Sequence, residues 1–277
     1  MQNALTIDLE EFFHTHNLKQ CWAPSAWSEA PSRAQGLVRQ ILQTLDRRGV
    51  RCTWFVLGWL AEKSPGLIRE IADAGHEIGC HGYSHGLVYE LGPEGFREDL
   101  LRATEVVERV VGARPSVFRA PCFSITRDSL WALETLRECG YEIDSSIFPI
   151  RRRFYGIADF RREPHRLDNG LIEFPLTVLE IAGKAVPVAG GGYVRLMPNW
   201  LVPRLLKRVV RGGRPINFYC HPWEFDLEEP RTRGVPLQKW LRHTVGRRSF
   251  GSLFEALLGE FSWVPISEAV NSHVPPE

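Results

Sequence analysis

Short apolar runs that suit β-strands alternate along the chain with stretches in which apolar residues recur at helical spacing. The clearest helix is predicted over 34–48, where Leu37, Ile41 and Leu45 share one face before Gly49 ends the pattern. Strands are predicted over 4–8, 51–57, 76–81, 117–119, 141–144, 173–179 and 215–221. Further helices are predicted over 65–74, 93–111, 127–139, 200–211 and 250–261. This alternation is typical of parallel βα units and predicts an α/β fold.

The segment 150–193 interrupts the alternation, because it is rich in Arg, Pro and Gly and carries fewer helical signals. Its glycine run at 190–192 lacks the spacing of a nucleotide-binding fingerprint, so we expect a turn or loop beside the site. No repeat, low-complexity tract or linker divides the sequence. We therefore predict a single domain over 1–277, a length that suits one α/β barrel.

Charge and hydropathy exclude several classes of function. The 34 basic and 33 acidic side chains nearly cancel, which argues against a broad nucleic-acid-binding face. No run approaches the ~18 apolar residues of a membrane-spanning helix. The first 11 residues contain three acids and do not resemble a secretory signal. We expect a cytoplasmic protein, in solution or at the inner membrane face, with no nucleic-acid partner and no integral membrane segment; a homo-oligomer stays open.

Cysteine and arginine usage adds two expectations. The six cysteines form no C-x-x-C pair, so we expect reduced thiols rather than a disulfide framework. Only five of the 34 basic residues are lysine, and the arginines cluster at 151–153, 161–162, 204–214 and 247–248. Arginine matches phosphate and carboxylate well, so an anionic or phosphate-linked substrate and a merely solvated surface both remain open.

Polar side chains stand at the ends of five predicted strands, where the chemistry of parallel βα folds gathers. These residues are Asp8, His81, Arg119, Asp144 and His221. His81 and His85 lie four residues apart and can reach one divalent metal ion, although two surface histidines in a turn would look the same. Asp8 and Glu10 point the same way along an extended segment. Their two carboxylates could serve one site, one as a metal ligand and the other as a base. They could equally belong to an exposed acidic loop.

Five motifs follow one another over residues 6–223: Thr6-Ile7-Asp8-Leu9-Glu10, His81-Gly82-Tyr83-Ser84-His85, Arg119-Ala120-Pro121-Cys122-Phe123, Asp144-Ser145-Ser146 and Phe218-Tyr219-Cys220-His221-Pro222-Trp223. In this order they resemble the polysaccharide deacetylase family (NodB homology domain, carbohydrate esterase family 4). Segments 76–89 and 221–225 resemble more narrowly the deacetylases that accompany exopolysaccharide and exosortase (PEP-CTERM) loci. The resemblance implies a distorted (β/α)7-type barrel with core motifs in 5–225 and a C-terminal extension over about 186–277.

The resemblance also implies a role for each motif residue. Glu10, His81 and His85 would hold one divalent metal ion, zinc first, with cobalt, nickel, iron or manganese as alternatives. Asp8 would be the general base and His221 the general acid that protonates the leaving amine. Arg119 would keep Asp8 ionised and oriented, and Asp144 would tune His221 or line the site. The sugar pocket would be shaped by Pro121, Cys122, Phe123 and Trp223, with a backbone N–H near Phe123 binding the oxyanion.

Some assignments stay open at this point. Many relatives place two adjacent aspartates in the first motif, whereas Leu9 separates Asp8 from Glu10 here, so the division of labour between the two carboxylates is open. Glu224 is a candidate orienting partner for a site histidine. His14 and His16 are spare metal ligands or solvated loop residues. Three tryptophans are sugar platforms or core, namely Trp22, Trp27 and Trp59.

An N-acetyl amide is a poor electrophile and neutral water a poor nucleophile, and a divalent metal ion addresses both. We therefore predict a metal-dependent hydrolase that removes N-acetyl groups from N-acetylhexosamine units of a polysaccharide or its precursor. One alternative is a metal-dependent amidase for a small non-sugar amide, as in allantoinase-like relatives. Another is a catalytically inactive carbohydrate-binding relative, which would have no use for a base and an acid together.

Overall fold

A computed structural model describes residues 1–15 and 18–275 of the chain. The strands are Asn3–Leu9 (β1), Thr53–Val56 (β2), Glu77–Cys80 (β3), Val117–Phe118 (β4), Ile143–Asp144 (β5), His165–Arg166 (β6), Ile172–Glu173 (β7), Val178–Ile181 (β8), Lys184–Pro187 (β9), Asn217–Cys220 (β10) and Trp263–Val264 (β11). The helices are Ala34–Arg47 (α1), Gly58–Lys63 (α2), Pro65–Asp73 (α3), Val88–Val111 (α4), Trp131–Glu138 (α5), Gly191–Arg195 (α6), Leu201–Arg211 (α7), Leu237–Thr244 (α8), Arg247–Glu260 (α9) and Ile266–Asn271 (α10).

Seven parallel strands form the main sheet in the order β10-β1-β2-β3-β4-β5-β7, with β6 antiparallel at the β7 edge. Strand β11 pairs with the start of β1, and β8 and β9 form a separate hairpin. The sheet curls with helices packed against it, so the predicted α/β fold with a distorted barrel is confirmed. Strands from both ends of the chain lie side by side in this one sheet.

Asn217 connects the two ends of the curled sheet. Its side-chain amide donates to the carbonyl oxygen of Phe174, just after β7, at 2.9 Å. Its backbone N–H donates to the hydroxyl of Thr177 at 2.7 Å. In a continuous sheet these backbone groups would pair with a neighbouring strand. Here side chains satisfy them instead, and buried backbone groups need such partners. The barrel is therefore held closed by a buried amide.

Apolar residues follow the periods expected of their elements. Helix α1 buries Leu37, Val38, Ile41 and Leu45 along one face, as its sequence predicts. All seven residues of β1 are buried, which is typical of a parallel strand covered on both faces. The carboxyl ends of such strands consequently lie next to one another at one rim.

Three elements differ from their predictions. Helix α4 begins at Val88, five residues before the predicted start. It breaks at Gly92, which has a φ of 70° and is followed by Pro93. The predicted strand 173–179 is two strands, β7 and β8, because Pro175 between them cannot donate to a ladder. The predicted helix 127–139 starts as a 3₁₀ turn at Arg127–Ser129 before α5. Seven short elements were not predicted at all: α2, α6, α8, α10, β6, β9 and β11.

The structure has all six cysteines as unpaired thiols, four of them buried. Within residues 1–15 and 18–275, no helix combines the length and the apolar character that a membrane crossing requires.

Candidate metal and catalytic site

Glu10, His81 and His85 meet at the rim formed by the carboxyl ends of β1 and β3. All three are buried, and one potential ligand atom from each lies within 4.8 Å of the others. The Glu10 Oε1 atom is 3.2 Å from His81 Nε2 and 2.9 Å from His85 Nε2. Burial opposes ionisation of Glu10, yet His85 and His81 hold its pKa well below the usual range. The structure therefore brings the three predicted ligands together.

The hydrogen bonds around His81 fit a bound cation. Its Nδ1 atom lies 2.7 Å from the carbonyl oxygen of Arg119, which can only accept, so Nδ1 carries a proton. In the neutral ring the Nε2 lone pair then faces the Glu10 carboxylate oxygen. Two electron-pair donors at this distance repel unless a cation or a proton lies between them. One carboxylate and two imidazoles also form a donor set that suits zinc and related divalent ions.

Arg119 is fully buried and holds Asp8 in place. Its Nη1 atom donates to Asp8 Oδ1 and to the Thr6 hydroxyl, each at 2.7 Å. Its remaining N–H groups donate to the Ser145 carbonyl at 3.1 Å, the Ser145 hydroxyl at 2.8 Å and the Asn217 side chain at 3.2 Å. Five donors meet five acceptors, so the guanidinium is fixed in position. Asp8 is consequently oriented by a charged partner, as the sequence predicts.

His221 follows β10 and faces Asp8, with 3.8 Å between His221 Nε2 and Asp8 Oδ2. Its Nδ1 atom lies 3.1 Å from Glu224 Oε2, and Glu224 Oε1 accepts from Arg195 Nε at 2.6 Å. Burial lowers the pKa of His221, but the carboxylates of Glu224, Glu10 and Asp8 together raise it to about 9. Glu224 is thus the orienting partner of His221, and Arg195 was not anticipated at all.

Trp223 forms a wall behind His221. Its ring stacks on His221 at 4.8 Å and, on the other face, on His243 at 4.8 Å. His243 and Arg247 in turn share the carboxylate of Glu229 at 2.9 and 2.8 Å. The predicted position of Trp223 beside the acid agrees with the structure. Helices α8 and α9 supply the buried groups that hold it there.

Asp144 does not reach His221. Its carboxylate accepts from the Ser146 hydroxyl at 2.5 Å and is linked to Glu173, its register partner on β7. Burial raises the pKa of both carboxyls, and the nearby charge of Asp144 raises that of Glu173 further. Both carboxyl groups therefore lose their protons less readily than in water, Glu173 most strongly, because burial opposes their ionisation. Neither role expected of Asp144 is met: its side chain is turned towards Glu173 on β7, while Glu224 contacts His221 instead. Asp144 is also not part of the cavity wall around His221.

The turn Pro121–Phe123 shapes one side of the site. Cys122 and Phe123 have φ angles of 53° and 55°, a left-handed conformation that costs free energy in non-glycine residues and is often kept at functional sites. The Phe123 N–H, near which oxyanion binding was expected, donates to the Ala120 carbonyl at 3.0 Å. In the described chain the Cys122 N–H makes no hydrogen bond.

A cavity of about 140 Å³ connects these groups. Its wall comprises Asp8, Glu10, Thr15, Cys122, Phe123, His221 and Trp223. Pro121 is buried and is absent from this wall, so of the four predicted pocket residues the cavity includes three. The predicted base, the predicted acid and one predicted metal ligand therefore line a single cavity.

An aromatic cluster lies near the first motif, in which Trp27 is buried core and Trp22 and Trp59 are half-buried against it, so a platform role stays open for these two. Trp27 packs on Trp59 with ring centres 5.4 Å apart, and Trp22 lies 5.9 Å from Phe13. His14 is buried among these rings, and burial lowers its pKa to about 3. Its Nδ1 accepts the Glu11 N–H at 3.1 Å, so its Nε2 carries the proton and cannot bind a metal. His16 lies outside the described residues.

Two family models match successive parts of the chain. Residues 26–143 match the polysaccharide deacetylase model, and residues 145–271 match a domain of unknown function, DUF3473. The first match contains His81, His85 and Arg119, and the second contains His221 and Glu224. The site described above therefore draws on both segments and on strand β1. The polysaccharide deacetylase match supports the resemblance found in the motifs.

Curated relatives point the same way over part of their length. The chain is 35% identical over 96 residues to a peptidoglycan-N-acetylglucosamine deacetylase of Bacillus cereus, which covers 34% of this chain and 35% of the relative. It is 32% identical over 150 residues to a peptidoglycan deacetylase-like protein of Gibberella zeae, covering 53% of this chain and 40% of the relative. The chain thus aligns with well under two thirds of the length of each of these relatives.

One solved structure shares the fold over nearly the whole chain. A protein of Mycobacterium smegmatis, named for the polysaccharide deacetylases, superposes with a TM-score of 0.64 at 20% identity. The superposition covers 98% of this chain and 90% of that one. At this level of identity the likeness establishes the fold alone.

Proposed function

We propose that this chain is a metal-dependent carbohydrate N-deacetylase of the polysaccharide deacetylase family. Its substrate is an N-acetylhexosamine unit of a polysaccharide or of a polysaccharide precursor. The observation that carries the proposal is the placement of Asp8 opposite His221, 3.8 Å apart, in the cavity that also contains Glu10. A base and an acid in the wall of one small cavity suit the hydrolysis of an amide.

Glu10, His81 and His85 are the residues that would hold the metal ion. A divalent ion bound there supplies Lewis acidity, which lowers the pKa of water and polarises the acetyl carbonyl. Three protein ligands leave coordination positions open, as in catalytic rather than structural zinc sites. Zinc is the ion we propose, on the strength of two imidazoles and one carboxylate.

Asp8 takes the proton of the attacking water. Arg119 holds its Oδ1 atom at 2.7 Å and leaves Oδ2 on the His221 side of the cavity. The fully paired guanidinium cannot follow a moving carboxylate, so Asp8 is fixed before substrate binds. Such pre-organisation is a large source of catalytic rate in enzymes.

His221 gives a proton to the departing amine. Its pKa of about 9 without metal keeps the ring protonated at neutral pH, and Glu224 keeps Nδ1 occupied so that Nε2 is the donor. Cys122, in the wall of the cavity, offers the oxyanion its backbone N–H, which has no acceptor among the described residues. Segments 76–89 and 221–225 resemble deacetylases that accompany exopolysaccharide and exosortase loci. A role in exopolysaccharide synthesis stays a prediction.

Acetate release tests this proposal against the amidase alternative. Purified protein loaded with zinc is incubated with N-acetylglucosamine oligosaccharides and, separately, with allantoin and related small amides. We expect acetate and free amine in equal amounts from the oligosaccharides and no turnover of the small amides. Turnover confined to the small amides would establish the amidase instead, and turnover of neither would favour a binding protein.

A further inference from the structure

A second cavity, of about 560 Å³, lies beside the catalytic cavity and shares Trp223 with it. Among the described residues, its wall contains four arginines, five aromatic residues and no carboxylate. We call it the arginine cavity and define it by Arg152, Arg153, Tyr193, Arg242 and Trp223. The proposed reaction does not use it, and the arginine cluster at 151–153 is left without a role by that reaction.

The charge of the arginine cavity is uncompensated. Arg195 is neutralised by Glu224, with 2.6 Å between Nε and Oε1. The other three arginines (152, 153 and 242) are exposed, and none of them has a carboxylate within 4 Å in the part of the chain that the structure describes. Like charges in a concave surface raise the local potential and concentrate anions.

Neutral partners hold one of these arginines in position. Arg152 donates through Nε to the Tyr193 hydroxyl at 3.0 Å, and Tyr155 shares that hydroxyl at 2.6 Å. Its guanidinium carbon also lies 5.5 Å from the centre of the Tyr193 ring. These contacts leave the terminal N–H groups of Arg152 for a further acceptor. A planar guanidinium fixed in this way suits the two oxygens of a carboxylate or a phosphate.

The arginine cavity is close enough to the reaction to bind the same substrate molecule. Trp223 stacks on His221 at 4.8 Å and lines both cavities. Tyr219, also in the wall of the arginine cavity, lies 4.9 Å from Phe123 of the catalytic cavity. The smaller cavity has room for the acetamido end of one sugar, so the rest of a glycan must extend outwards, and the arginine cavity is adjacent.

We propose that the arginine cavity binds an anionic group of the glycan, a carboxylate or a phosphate, in the unit next to the N-acetylhexosamine that is deacetylated. This inference rests on the proposed function and narrows its substrate class to acidic glycans. Arg152 and Arg242 are the specificity-determining residues. Aromatic side chains around them provide apolar faces against which pyranose rings pack.

The test compares substrates of equal length that differ in charge. One is a tetrasaccharide that alternates N-acetylglucosamine with glucuronic acid, and its carboxyl-reduced form is the neutral counterpart. A third carries a phosphodiester next to N-acetylglucosamine and separates phosphate from carboxylate as the preferred anion. kcat/KM for acetate release is measured for the wild-type protein, for the Arg152→Gln/Arg242→Gln double variant and for Arg208→Gln, an exposed arginine of α7 outside the cavity.

We expect the wild-type protein to favour one of the anionic substrates over the neutral one by about tenfold, mainly through KM, since each arginine contributes up to about fivefold. The ratio should fall towards 1 in the double variant and in about 0.5 M salt, and Arg208→Gln should keep it. A wild-type ratio of 1 or less for both anions, or a ratio that survives in the double variant, overturns the inference.

Binding separates this inference from the proposed function. Fluorescence anisotropy of the labelled saccharides is measured with metal-free protein, so that it does not depend on turnover. If an anionic saccharide binds more tightly but no substrate releases acetate, the proposed deacetylase activity is contradicted and the anion site is supported. Equal binding and equal acetate release keep the deacetylase and contradict the anion site. If the double variant instead loses sedimentation with phosphatidylglycerol vesicles at an unchanged substrate ratio, the arginines serve a membrane surface and the inference is wrong.

Discussion

The Nδ1 atom of His221 lies 3.1 Å from the Oε2 atom of Glu224, a carboxylate three residues further along the chain. Glu224 also accepts the backbone N–H of His221 at 3.0 Å, so ring and backbone are tied to one group. The buried Arg195 holds the other oxygen of Glu224. The proposed acid is therefore oriented from its own turn, and the charge that orients it is itself compensated.

Glu224→Gln should lower the pKa of His221. Burial pulls that pKa down, and the carboxylates of Glu224, Glu10 and Asp8 together raise it to about 9 in the metal-free protein. Of the three, Glu224 is hydrogen-bonded to the ring. Loss of the carboxylate should reduce it by about 1 to 2. NMR titration of the imidazole protons checks this, with Glu228→Gln, an exposed neighbour, as the matched control. A reduced kcat at unchanged KM should accompany the shift, and an unshifted His221 would exclude Glu224 as its positioning residue.

Arg119→Met should destabilise the fold strongly. The substitution leaves Asp8 buried without its charged partner. It also removes the N–H groups that donate hydrogen bonds to Thr6, Ser145 and Asn217. Breaking a buried ion pair from one side costs about 3–5 kcal/mol of unfolding free energy. Urea denaturation measures it, and Arg114→Met, an exposed arginine near Glu108, should change stability by less than about 0.5 kcal/mol. Similar stabilities for the two variants would contradict the role assigned to Arg119.

The carboxyl pair of Asp144 and Glu173 makes a prediction about pH. Burial and the charge of Asp144 raise the pKa of Glu173 well above 4.5, so the folded protein binds its proton more tightly than the unfolded chain. The pair therefore contributes full stability below about pH 4.5, and this contribution is lost as pH rises towards the folded-state pKa. Glu173→Gln keeps a neutral group at this position. The loss of stability with rising pH should therefore be smaller in this variant, as measured by thermal melts over a series of pH values. An unaltered slope of stability against pH above pH 4.5 would show that the folded protein does not bind the Glu173 proton more tightly than the unfolded chain.

Metal binding tests the three ligands without any reference to turnover. The wild-type protein should bind one equivalent of zinc in equilibrium dialysis. His81→Ala and Glu10→Gln should each weaken binding by about 100-fold or more, since even second-sphere changes cost 10- to 100-fold. His165→Ala, in β6, serves as the control for loss of a histidine. Unchanged stoichiometry in both ligand variants would exclude this site.

Strand ends predict most of the site because parallel strands share one rim. Asp8 lies near the end of β1, and His81, Arg119 and His221 each follow a strand. The fold brings these four residues together as expected. Asp144 also ends a strand, yet its side chain pairs with Glu173. That outcome depends on the register of β5 against β7, and both strands have only two residues, too few for a sequence pattern to indicate it.

Arg195 could not be found from the sequence at all. It ends the short helix α6, which carries no motif, and it reaches Glu224 from 29 residues away. Its position depends on Gly190, where an added Cβ would lie 2.2 Å from the carbonyl oxygen of Tyr219. The glycine run thus packs directly against β10, two residues before His221. Gly191 and Gly192 begin helix α6 instead of forming the expected turn or loop, and only the folded chain shows that this helix carries the partner of Glu224.

The most direct test of the account is Asp8→Asn measured at full metal occupancy. The substitution keeps the size of the side chain and leaves Glu10, His81 and His85 in place, so zinc binding should match the wild-type protein. Acetate release from an N-acetylated oligosaccharide should fall by a factor of about 10² to 10⁴, the usual contribution of a positioned general base. Full turnover by a metal-loaded Asp8→Asn protein would contradict the account.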